Sequence, residues 1–191
     1  MSNRVGRILI LLGAVLVTSA LILILFNIKE GTQAGEVSDL VLTQVQEVIP
    51  EEIINEEDSL EMTVKYIDGY GYIGYLSIPN LDLELPIISD CDEERLKIAP
   101  CRQFGSSKSD DLVIAGHNYR QHFGSLPKLQ IGHILEFTDM EGVISSYSVE
   151  AIQVIEPTDV EVVRDSERDL ILYTCTYGGQ NRVSVHCVKI E

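Results

Sequence analysis

Residues Ile8–Phe26 run for 19 positions without a charged side chain or a proline. At about 1.5 Å per residue, an uninterrupted helix over this run covers roughly 28 Å, the thickness of a bilayer's hydrocarbon core. The run has no polar face, so it does not read as the amphipathic core helix of a soluble domain. Arg4 and Arg7 precede it with no acid among them. The positive-inside bias therefore predicts a cytoplasmic N-terminus, with the chain beyond Lys29 on the outer side of the cell membrane. The competing reading is a cleaved signal peptide, for which Thr32-Gln33-Ala34 offers small residues at a cleavage position. The run exceeds the usual apolar stretch of about 7–15 residues in such peptides, and a retained single-pass anchor is the expectation.

The remainder is long enough for one domain of roughly 120 residues with a true core. Its charge is lopsided. Beyond Lys29 there are eleven basic residues against thirty acidic ones, a net of −19. Such a surface repels nucleic acid and anionic lipid heads and suits solubility in an exposed compartment. No acidic run has EF-hand spacing, so no metal or cofactor is expected from the residues. Residues 30–70 hold eleven acids and a single base, Lys65. Val37, Leu40, Val41 and Val45 have the spacing of a short amphipathic helix, but most of the stretch reads as an acidic extracellular spacer. The division expected is a tip and anchor over 1–29, a spacer over 30–70 and a folded domain over 71–191.

From Gly71 the pattern is that of short strands. Tyr72–Ile78 ends at Pro79-Asn80, and Leu81–Ile88 alternates apolar and acidic residues with period two. Helical character over Asp92–Ile98 closes at Pro100. Leu112–Ala115, Ile134–Phe137, Val143–Ile155, Leu170–Thr176 and Arg182–Ile190 are further strands, and Glu156–Asp169 is a long polar loop. Short strands punctuated by Gly, Pro and Asn predict an all-β barrel or sandwich. Cys91 and Cys101 flank a short segment and are able to pair in an exported domain, although spacing alone leaves connectivity open.

Three residues stand where chemistry is accessible. Cys175 ends an apolar strand just before a glycine turn; as a thiolate it is a nucleophile, whereas a strand cysteine is more often buried and inert. His117 follows a short apolar strand and suits a general acid, or simply a solvated histidine. His122 is its rival but lies inside the connector. Arg182 lies seven positions after Cys175, across a turn able to form a hairpin, where a guanidinium can hold a carbonyl or an oxyanion. A surface arginine is the plainer alternative.

Together, Gly116-His117 after a strand, Leu172-Tyr173-Thr174-Cys175-Thr176, and Asn181-Arg182 after a turn resemble the sortase family. Gly74-Tyr75-Leu76-Ser77-Ile78-Pro79 and Phe123-Gly124-Ser125-Leu126 support the resemblance, which covers about residues 71–190. It implies an eight-stranded β-barrel with short helices in its connections, preceded by one transmembrane helix. It also implies transpeptidation at a Leu-Pro-x-Thr-Gly-like sorting signal, with surface proteins bearing the signal and a cell-wall precursor amine as partners. On the matching positions Cys175 is the nucleophile, His117 the acid and Arg182 the oxyanion holder, with Thr174 and Tyr177 as substrate contacts. Leu172 and Tyr173 depart from the commoner Thr-Leu-hydrophobic-Thr pattern. No Asp-Pro-aromatic lid and no second membrane segment are present, which leans the resemblance toward class D or housekeeping members and away from pilus assembly. Some members use calcium, and Glu156, Asp159 and Glu161 are where it would bind.

Other functions are expected less. His117, Cys175, His186 and Cys187 are zinc-ligand types, but adjacent strand residues face opposite ways. A non-catalytic adhesive domain explains the anchor and the acid, not the histidine, cysteine and arginine at strand ends. A purely hydrolytic cysteine peptidase shares every residue and differs only in lacking an amine acceptor.

Overall fold

The computed structural model describes residues 2–50, 60–157, 168–176 and 178–190. The chain divides into two compact units, one ending at Gln33 and one beginning at Ala34. Helix α1 (Ser2–Val48) starts in the first and ends in the second. Its apolar part is long enough to cross a membrane by length and composition, and none of that window is buried against protein.

In the second unit α1 carries a stripe. Ala34, Ser38, Val41 and Val45 are buried while Val37 and Leu40 are exposed. Spacings of four, three and four residues keep one face on the protein. Val41 and Val45 pack with Tyr72, Ile88, Ala99, Cys101 and Met140. Within the stretch expected as a spacer, residues 34–48 are thus a helix packed on the domain. Its density of acids hid a narrow apolar face. Gly35 allows the close approach, since a Cβ there would lie 2.6 Å from Gln121 Cγ.

The domain is a closed barrel. Its strands are β1 (Lys65–Ile67), β2 (Tyr70–Ile78), β3 (Leu83–Ile88), β4 (Cys101–Phe104), β5 (Leu112–Ala115), β6 (Ile134–Asp139), β7 (Ile144–Ile155), β8 (Leu170–Cys175) and β9 (Arg182–Lys189). Eight of them follow the order β2-β3-β4-β5-β8-β9-β7-β6, and a β2–β6 pairing closes the ring. The three-residue β1 adds a hairpin to the start of β2. It turns at Asp68-Gly69, both with positive φ, a common two-residue hairpin signal. A short helix α2 (Glu93–Leu96) is capped by Asp92, whose side chain accepts from the Arg95 N–H.

Alternation along the strands fills the interior. Leu85, Ile87, Leu112, Ile114, Leu135, Phe137, Leu170, Leu172, Val185 and Cys187 share one core cluster, plugged by Phe123 and Leu126 of a 3₁₀ turn over Phe123–Lys128. The intervening residues Val113, Ile155 and Ile171 form a separate outer cluster, with Phe104 and Tyr173 packed against it. This parity puts Cys175 on the outer face, two residues from Tyr173.

Cys91 and Cys101 form a disulfide with Cα atoms 5.1 Å apart. It ties the segment carrying α2 to β4. Closing a loop of this length in the unfolded chain is worth about 3 kcal/mol in the chain-entropy account.

Candidate active site

Parallel pairing of β5 and β8 sets Ala115 opposite Tyr173, and the Gly116 N–H donates to the Tyr173 carbonyl at 3.1 Å. The next residues, His117 and Cys175, therefore leave neighbouring strands at the same edge. On the other side of β8, Cys175 is directly opposite Arg182. A direct antiparallel pair points to one face of the sheet. The order β5-β8-β9 thus lines up histidine, cysteine and arginine along one rim. All three border a cleft of about 530 Å³. Its lining mixes apolar residues, Leu96, Phe104, Ile155 and Pro157, with polar ones, Glu93, Gln103 and Glu156.

Backbone ties hold the rim. Asn118 Nδ2 donates to the Thr176 carbonyl at 3.3 Å, joining the histidine segment to the end of the cysteine strand. The β8–β9 turn is fastened by Thr176, whose N–H donates to the Asn181 carbonyl at 2.8 Å while its hydroxyl accepts from the Asn181 N–H at 3.0 Å. Arg182 Nη1 donates to the carbonyls of Gly179 and Asn181 at 3.3 and 3.2 Å. The guanidinium is thereby steered by its own turn through one nitrogen, and its other donors have no hydrogen-bond partner among the described residues.

The remaining expected positions fall as follows. Thr174 borders the cleft, yet by alternation its side chain lies on the inner face with Leu170 and Leu172; it is 2% exposed and Oγ1 has no partner among the described residues. Tyr177, Asp159 and Glu161 lie outside the described residues. Cys187 is wholly buried in the core, and burial pushes its thiol up to about 12. His186 is on the opposite face of β9, with Nε2 2.8 Å from the Ser184 hydroxyl. The two side chains cannot converge on one ion.

His122, the rival histidine, is fully buried and does not border the cleft. Its ring stacks at a tilt against Tyr119, which in turn meets His117 at 4.8 Å between centroids. Burial first, and the nearby His117 second, push His122 from 6.5 down to about 4, with the Ala34 backbone pulling the other way. A folded-state pKa below the unfolded one means that the unfolded chain takes up the proton first as the pH falls. Stability is fully present above about pH 6.5 and is lost progressively toward pH 4, by up to about 3 kcal/mol. Thermal melts over this window are expected to show that drop, and His122→Gln is expected to flatten it.

The sequence reading missed Asn118 as a tether and the pair Tyr173 and Gln103, whose phenol and side-chain carbonyl are hydrogen-bonded at 2.9 Å. The strand β4 that carries Gln103 has only four residues and too little pattern to be seen in advance.

The sortase domain family model matches residues 76–190, the whole stretch that builds this rim. The chain belongs to the sortase family. It is 29% identical over 128 residues to sortase A of Bacillus anthracis, covering 64% of this chain and 60% of that protein's length. Among solved structures it resembles sortase C1 of Streptococcus suis (26% identity, 63% of this chain and 73% of that one, TM-score 0.55). Sortase C1 of Streptococcus agalactiae is similar to the same degree (26%, 66% and 71%, TM-score 0.56). Sortase C-3 of Streptococcus pneumoniae shares the fold over more of the chain (22%, 86% and 83%, TM-score 0.58). Sortase barrels are eight-stranded, and the eight-strand ring with a short added hairpin strand agrees with that architecture.

Proposed function

We propose that this sortase is a membrane-anchored cysteine transpeptidase that cleaves a Leu-Pro-x-Thr-Gly-like sorting signal and transfers the protein bearing it to a cell-wall amine. The observation that carries the reading is the alignment of His117, Cys175 and Arg182 on three adjacent strand ends beside one cleft. Cys175 attacks the carbonyl carbon of the signal threonine as a thiolate. The oxyanion of the tetrahedral intermediate accepts hydrogen bonds from the Arg182 donors that the turn does not occupy. His117 gives its proton to the departing glycine nitrogen, which leaves the acyl group on Cys175 as a thioester. An incoming amine then attacks that thioester, loses a proton to His117 and releases the thiolate.

The anchor is residues 1–29, with the N-terminus cytoplasmic and the barrel outside. Housekeeping or class D membership is the subclass proposed, on the sequence ahead of the barrel, which carries no Asp-Pro-aromatic motif, and on the Tyr177-Gly178-Gly179 turn. Tyr177 is proposed as a substrate contact, and Thr174, whose side chain turns inward, as one through its backbone.

The test uses the full chain in detergent micelles with quenched fluorescent Leu-Pro-x-Thr-Gly peptides, with and without triglycine. Cleavage between Thr and Gly together with a triglycine-linked product by mass spectrometry is the expected result. Cleavage with no amine product would assign the site to a hydrolytic peptidase.

A further inference from the structure

Tyr173 and Gln103 stand on strands that are not paired with each other in the sheet. The sheet order places β5 between β4 and β8, and the residue of β5 paired with Tyr173 is Ala115. The small alanine leaves room for the phenol to reach across to Gln103, where its hydroxyl donates to Oε1 at 2.9 Å. Both residues border the same cleft as Cys175. Tyr173 sits on the same face as Cys175 and close enough to feel its charge and that of Arg182. Burial keeps the phenol above its ordinary pKa, so it remains a donor at neutral pH.

This bridge fixes the orientation of an otherwise exposed glutamine. With Oε1 occupied by the phenol, the amide nitrogen of Gln103 is left with two N–H donors and no acceptor among the described residues. The neighbouring wall is apolar, built by Leu96 and Phe104. The carboxylates of Glu93 and Glu156 border the same space and make no ion pair among the described residues. With these two carboxylates against the single guanidinium of Arg182 on the described lining, a neutral acceptor is favoured over an anionic one.

Building on the transpeptidase reading, we propose that Gln103, held by Tyr173, is a specificity-determining residue that donates its amide hydrogens to a neutral hydrogen-bond acceptor of the bound signal peptide. The acceptor is a side-chain amide at the variable position of the signal or a backbone carbonyl beside it. Aliphatic neighbours in the peptide pack on Leu96 and Phe104. A polar site built in this way discriminates against ligands that leave its donors unpaired.

The test is steady-state kinetics of the full chain in micelles on Leu-Pro-x-Thr-Gly peptides with Gln, Asn, Leu or Glu at x. Gln103→Leu removes both donors and the acceptor. Gln103→Glu keeps an acceptor for Tyr173, removes the donors and adds a negative charge, so a KM rise is assigned to the lost donors only where Gln103→Leu shows it as well. Both are expected to raise KM about tenfold with kcat within about twofold, the loss of one hydrogen bond to a neutral group. A rise confined to the Gln and Asn peptides identifies a side-chain acceptor, and an equal rise for all peptides identifies the backbone. An unchanged KM in Gln103→Glu would reduce the glutamine to a prop for Tyr173 and overturn the proposal. A wild-type chain without Cys175-dependent turnover would overturn this inference together with the reading beneath it, whereas turnover with no KM change in either variant sinks the inference alone.

Discussion

Cys175→Ala is expected to abolish signal-peptide cleavage, by about 10³-fold or more, while leaving the thermal midpoint almost unchanged. Removing the nucleophile of a covalent mechanism deletes the step that the other groups serve, so no partial route remains. The stability half follows from position. Cys175 lies at the end of β8 on the outer face and is partly exposed, so its loss opens no core cavity. The chain supplies an internal control. Cys187 is the other free thiol, and it is buried in the barrel with its pKa pushed up to about 12. Iodoacetamide is therefore expected to modify Cys175 and spare Cys187 in the folded protein, which mass spectrometry of the digested product reads directly. Labelling of Cys187 in preference to Cys175 would place the reactive thiol on the wrong face of the sheet. Cys187→Ala is expected to show the reverse pattern, with activity retained per folded molecule and a lower midpoint from the cavity it leaves.

Gly74→Ala is expected to cost about 3 kcal/mol or more, lowering the thermal midpoint by about 6–12 °C. Gly74 sits in a β-bulge of β2, where the register against β3 shifts between Tyr72 and Gly74. Its φ of +142° lies in a region that side chains avoid, and a Cβ would stand 2.0 Å from the Thr138 carbonyl oxygen and 2.9 Å from Asp139 Cα. Both obstacles are backbone of β6, the strand whose pairing with β2 closes the barrel. The strand cannot yield without opening the ring. Gly132 is a fair comparison because its φ is also positive, +88°, but its missing Cβ faces open space. Alanine there is expected to cost about 1 kcal/mol, from backbone strain alone. Chemical denaturation of the two variants separates the terms, and equal losses would mean that the contact with β6 carries no weight.

The bulge also explains the inside-out pattern of β2. Ile73, Leu76 and Ile78 all enter the core, although 73 and 76 have opposite parity. One inserted residue flips the faces between them. A reader of the sequence sees Tyr72–Ile78 as a strand but sees no regular alternation, and the reason is this single glycine. The strands β3, β5, β6, β7, β8 and β9 were legible because each carries an apolar run or an apolar–polar alternation beside turn-forming residues. Two were not. β1 has only three residues within an acidic stretch, and β4 is held in place by long-range partners: the disulfide, a single parallel pairing at Ile88 and the antiparallel ladder to β5. The helix over 34–48 was half visible. Val41 and Val45 mark its buried face, while Val37 and Leu40, of the same residue type, point to water.

The membrane-length helix, the strand-rich domain and the candidates His117, Cys175 and Arg182 were legible from the residues alone. Each of these follows from local chemistry: an uncharged run matched to a bilayer, a period of two, and reactive side chains at strand ends beside turns. Whatever depends on strand pairing was not legible from them alone. Only the parallel register of β5 with β8 brings the histidine strand beside the cysteine strand, and only the sheet order lets Tyr173 reach over Ala115 to Gln103. Two nearby histidines also part company, His117 bordering the cleft and His122 buried. Distances between strand ends far apart in the chain are set by loop closure and core packing across the whole barrel. Those quantities are global, and no window of residues encodes them.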